Sequence, residues 1–193
     1  MVSWKSIRSV RNNITATQRM QMSKIMHGWL PVMHMQVHTS RKPNCPGCPC
    51  ADETIDHMFR CQNKQLSTKR DALDNSLSRK GMKLGVPRAI MEALSKLIYD
   101  YTNAKTPSIP AHQGIATAVR AQIRIGLHLL PQGFIATEWI QVIEDFSIGR
   151  PERKVASILK TLWLDFTDQL WRNRNAIAHA KENLNSLAEA QEH

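Results

Sequence analysis

Four side chains within a short stretch could hold a metal: Cys45, Cys48, His57 and Cys61. Zinc takes four nitrogen or sulfur ligands at tetrahedral corners, roughly 2.0–2.3 Å from the ion. A C-x2-C step delivers two thiolates to one point, and Pro46 and Gly47 suit the tight loop between them. His57 and Cys61 are four apart, so on a helix they project from the same face. These four fill a tetrahedral set and leave no position for a catalytic water, so the expected cofactor is one structural zinc ion. Cys50 stands in a tighter C-x-C step with Cys48 and is expected to be a spare or alternate ligand. All four cysteines are clustered, and the start MVSWKSIRSVRNN lacks the apolar core of a signal peptide. A metal is therefore expected in place of disulfides, in a reducing setting such as the nucleus or cytoplasm.

Charge supplies the second chemical signal. The chain carries 26 Lys/Arg against 16 Asp/Glu, a formal net charge of +10. Residues 1–44 hold seven cations and no acid, and residues 63–88 hold seven against Asp71 and Asp74. From residue 89 onward eleven cations meet eleven acids and cancel. A field concentrated on both sides of the cysteine cluster attracts polyanions through counterion release, and nucleic acid is the expected partner. The first candidates for phosphate contacts are Lys5, Arg8, Arg11, Arg19, Lys24, Arg41 and Lys42, extended by Lys64, Lys69 and Arg70. Trp29 could stack on a base, although its helical spacing favours the core. Met20, Met22, Met26, Met33 and Met35 could receive a partner helix, with core filling the expected role. No run of about 18 apolar residues exists, so no membrane span is expected.

The elements that would position these groups read as helices. Thr15 or Thr17 can cap a helix over 15–29, where Met22, Ile25, Met26 and Trp29 recur at helical spacing before Pro31. A Pro- and Cys-rich loop over 39–50 leads to a short helix at 52–62, with Asp52 as its expected cap. Helical patterns follow at 65–80, 87–103, 114–128 and 136–146, and a turn falls at 130–135. The segment 152–190 carries a long stripe through Val155, Ile158, Leu159, Leu162, Trp163, Phe166, Leu170, Trp171, Ile177 and Ala178. No segment alternates convincingly at period two. The expected fold is all-α: a helical domain with an N-terminal zinc-stapled loop–helix segment and a long C-terminal helix. The expected divisions are 1–62 for the zinc segment, 63–103 for a basic helical extension, 104–113 for a linker and 114–193 for a C-terminal helical module. The long stripe also offers a face for a homodimer or another protein, as an interaction scaffold.

These residues also resemble a known family. Residues 4–62 are similar to the zinc-binding segment that follows the polymerase domain in reverse transcriptases of non-LTR retrotransposons. The likeness is carried by Trp4-Lys5, Lys24 to Pro31 with its W-L-P turn, Cys45-Pro46-Gly47-Cys48, Glu53-Thr54, and Asp56 to Cys61. A weaker likeness, to a W-x-x-R-N helix of such elements, lies at Trp171 to Asn175. Many members place four residues between the His and the last Cys, where this chain has three, and Cys50 is extra. The sequence shows no Y-x-D-D-like pair and no carboxylate array suited to RNase H chemistry. The resemblance therefore implies a segment that grips RNA or DNA without catalysis of its own. Arg174 to His179 also fits the R-N-x3-H pattern of HEPN-type ribonucleases, in which the Arg and His cleave RNA by acid–base chemistry without metal. That reading makes Arg174 and His179 alternative catalytic candidates.

Overall fold

The computed structural model describes residues 1–33, 35, 43–146 and 149–191. It is all-α: ten α-helices among the described residues, with one isolated bridge, Val2 to Ala136, as the sole β pairing. Helix α1 (Trp4–Asn12) starts where the Ser3 hydroxyl accepts the Ser6 amide, and it buries Ile7 and Val10. The sequence pattern had suggested no helix here. Trp4, Ile7 and Val10 recur at helical spacing, but only Ile7 and Val10 are buried, and the surface that completes them lies far along the chain.

Helix α2 (Ala16–Met26) opens with a capping box in which Thr15 and Gln18 exchange hydrogen bonds. It buries Met22 and Ile25. The expected helix over 15–29 ends earlier, because Gly28 takes a φ of 69° and turns the chain. Trp29 is thereby thrown out of the stripe. It is 65% exposed and stacks on His27 with ring centroids 4.9 Å apart, which corrects its expected core role. Of the methionines, Met22 fills the core, Met26 and Met33 are partly buried, and Met20 and Met35 are exposed.

Helix α3 (Ile55–Arg60) is capped by Thr54, whose hydroxyl accepts the His57 amide at 3.0 Å, and not by Asp52. The segment expected as one helix over 65–80 is two, α4 (Lys64–Asp71) and α5 (Leu73–Leu84), divided at Ala72. Helix α6 (Arg88–Thr102) follows and packs on α5. Here Gly81 of α5 has a packing reason. A Cβ at this position would lie 2.4 Å from Cγ of Met91, itself 1% exposed. Gly81→Ala should destabilise the chain by about 1–3 kcal/mol, because the Met91 side chain has no free volume into which to move. A lowered denaturation midpoint at unchanged m-value would show it, and an unchanged midpoint would show that the two helices can part.

Residues 105–110 carry no regular element, and α7 (Gln113–Ile125) starts beyond them. A 3₁₀ turn at Leu127–Leu129 leads to α8 (Glu138–Phe146). Helix α9 (Pro151–Thr161) and helix α10 (Asp168–Gln191) are joined through a π-helical turn, Leu162–Thr167, into one long C-terminal rod. Helix α1 packs along α9, and Lys5 pairs with Glu152 at 2.7 Å. The stripe from Val155 to Trp171 is buried within the chain itself, as is Ala178. The apolar face that invited a homodimer is therefore taken up by the protein's own core. That core is a single cluster reaching from Ile7 to Trp171; 1–62, 63–103 and 114–193 all contribute to it, and the expected linker 104–113 does not. No helix among the described residues is long and apolar enough to cross a membrane.

Candidate metal centre

The loop before α3 is closed by two backbone bonds, Cys45 N–H to Cys50 O at 2.9 Å and Glu53 N–H to Pro43 O at 2.7 Å. Within it the Gly47 amide points at Cys45 Sγ, 3.4 Å away. Asn63 braces the turn from outside. Its amide donates to Gly47 O at 3.1 Å, and its carbonyl accepts the Gln65 amide at the start of α4. Helix α3 then presents His57, and Cys61 stands at its end.

These elements bring Cys45, Cys48, His57 and Cys61 together, their ligand atoms all within 4.8 Å of one another. Cys45 Sγ lies 3.7 Å from Cys61 Sγ, and Cys48 Sγ lies 3.3 Å from His57 Nε2. A disulfide needs about 2.05 Å, so the sulfurs are gathered without being bonded. Cys45 and Cys61 are buried, while Cys48 and His57 are half-buried. The group can hold a metal ion. Cys50 stands outside it, its thiol directed to Asp52 O at 3.4 Å.

The two buried thiols lie within hydrogen-bond reach of each other. The hydrogen bond to Cys61, followed by burial, pushes the Cys45 thiol up to about 12. The same bond lowers the Cys61 thiol against the opposing effect of burial. Arg70, expected at a phosphate, instead lies half-buried near Cys61. Burial lowers its pKa against the opposing pull of Cys61 and Asp71, and its Nη1 is buried without a partner. With a divalent ion held by three thiolates the cluster would carry one negative charge, close to this guanidinium.

The segment is fastened to the body of the protein at three points. Phe59 of α3 stacks on Phe166 of the π turn, centroids 6.2 Å apart. Tyr101 of α6 donates to Asp56 at 2.6 Å, with Arg60 over its ring. Glu53, fully buried, accepts the Met33 amide at 2.8 Å and a two-pronged contact from Arg174, whose Nε lies 2.8 Å away and whose Nη2 takes the other oxygen. The sequence signal for this pair was slight, because 121 positions separate its members.

The remaining candidates are distributed. Arg8, Arg11, Lys24, Lys64 and Lys69 are exposed, and Lys5 is paired with Glu152. Arg19 donates to Ile14 O at 2.8 Å. Those on α1 stand on a helix packed against α9 and those on α4 on a helix packed against α10. Arg41 and Lys42 lie outside the described residues. Arg174 is 5% exposed against Glu53, whereas His179 is exposed. Five residues along a helix are also about 140° apart in projection, so the pair lines no open cleft. Set against known protein families, characterised proteins and solved structures, the chain matches none.

Proposed function

We propose that this chain is a zinc-stapled, non-catalytic nucleic-acid-binding module, akin to the zinc-binding segment of non-LTR retrotransposon reverse transcriptases. The observation that carries the reading is the closed Cys₃His cluster. For zinc bonds of roughly 2.3 Å to sulfur and 2.0–2.1 Å to nitrogen, tetrahedral edges come to about 3.8 Å between sulfurs and 3.6 Å between sulfur and nitrogen. Two of the six edges, at 3.7 and 3.3 Å, fall close to these, and all six lie within 4.8 Å. Zinc bound there would cross-link the loop to α3 and supply no reactive position. The nucleic-acid part rests on the net charge of +10 and on the family resemblance. In support, Glu53 and Arg174, each from a stretch that carries the resemblance, meet in one buried pair. A nuclear or cytoplasmic setting agrees with reduced thiols.

Elemental analysis should find one zinc per chain, and a mixed-sequence duplex should bind with an affinity that falls steeply and log-linearly with salt. Properly folded, reduced protein without zinc would refute the metal reading. No binding of RNA or DNA at low salt would refute the nucleic-acid reading.

A further inference from the structure

The fold assembles cations that are dispersed in the sequence, and it does so away from the cysteine cluster. Helix α9 packs against both α1 and α5. Where α1 meets α9 there is a polar cleft of about 590 Å³, lined by Ser9, Asn13, Arg153, Ser157 and Lys160 among others. Where α5 approaches the end of α9 there is a second cleft of about 280 Å³, lined by Ser76, Arg79, Lys80, Lys83, Thr161 and Asp165. Lys160 and Thr161 are consecutive and fall one in each cleft, so the two adjoin across α9. Together they gather five cations and one carboxylate.

None of the five cations makes an ion pair among the described residues. The contacts they do make are to carbonyls: Lys160 donates to Asn13 O at 2.6 Å and Arg79 to Asn75 O at 3.3 Å. Carbonyls orient a cation but leave its charge uncompensated. Five like charges around adjoining clefts repel one another, and an anion that spans both clefts relieves the repulsion. Besides Val10, Ala156 and the one carboxylate, Asp165, the other lining groups are hydroxyls and an amide, which with Arg and Lys are the usual donors to phosphate oxygens. Neither cleft contains an aromatic ring, so no base can stack there.

We infer that the α5–α9–α1 face, through Arg79, Lys80, Lys83, Arg153 and Lys160, is the surface that holds the sugar–phosphate backbone of a nucleic acid. The inference rests on the nucleic-acid reading above and relocates its contacts. The backbone lies across the two clefts beside α9, the cysteine cluster acts only as a staple, and base sequence is not read.

The test compares two neutralised variants of the full, zinc-loaded chain on one mixed-sequence duplex. Lys80→Gln/Lys83→Gln/Lys160→Gln should weaken binding roughly 100-fold near 0.1 M salt and lower the salt slope by about 3. Its zinc content and melting temperature should match the wild type, and the corresponding triple Lys→Arg variant should bind as the wild type does. Lys24→Gln/Lys64→Gln/Lys69→Gln, at exposed positions outside the clefts, should change little. The opposite result, with the first variant unaffected and the second deficient, overturns the placement while leaving the nucleic-acid reading intact. A wild-type chain that binds no duplex at any salt overturns both.

Discussion

Removing zinc with a chelator, or replacing Cys61 by Ser, is expected to lower the melting temperature by roughly 8–16 °C. The estimate follows from linkage. A ligand present at about a thousand times its dissociation constant stabilises the native state by about 4 kcal/mol. In a chain of this size each kcal/mol moves the midpoint by about 2–4 °C. Cys61 should be the most damaging ligand to replace, because it is fully buried at the end of α3 beside Met58 and Phe59. A serine there forfeits the metal and also buries a hydroxyl in place of a thiolate. His57→Ala forfeits the same ion from a half-buried position and leaves no core cavity, so its cost should be smaller. Acid should act in the same direction as the chelator. Cys45 holds its proton up to about 12 in the metal-free pair, and the ion must displace it, so zinc-linked stability shrinks as pH falls. Melting curves followed by circular dichroism, with and without chelator at two pH values, would show this. Identical curves would mean that the segment is held by its packing alone.

The metal cluster was legible in the sequence because its geometry is local. A two-residue step and a helical i, i+4 spacing specify the two halves of the site. The long C-terminal stripe was legible for the same kind of reason, although the π turn within it was not. What the sequence concealed depends on distant partners. Helix α1 buries only Ile7 and Val10 of its apolar residues, and their face is completed by α9, some 150 residues on. Trp29 has the spacing of a core residue, but one left-handed glycine removes it from the stripe. Basic residues cluster along the first 88 positions of the chain, whereas the clefts beside α9 join α5 to a helix from the charge-neutral half.

The pair Glu53–Arg174 carries the second large effect, and it separates two readings of Arg174. Glu53 is fully buried and Arg174 5% exposed, so each charge has exchanged water for the other. Replacing one partner leaves the other buried without compensation, which costs about 3–5 kcal/mol. Glu53→Gln and Arg174→Met should each lower the melting temperature by roughly 6–20 °C. Arg174→Lys should recover little, since a lysine cannot reproduce the two-pronged contact. The double variant should be more stable than the sum of the single effects predicts, because no charge is left behind. Additive single effects below about 1 kcal/mol would show that the pair contributes little. A ribonuclease that used Arg174 with His179 would behave differently, losing RNA cleavage in Arg174→Met at an unchanged melting temperature. The burial of Arg174 against Glu53 predicts a lowered melting temperature instead, because the substitution unfastens the C-terminal rod from the loop before α3.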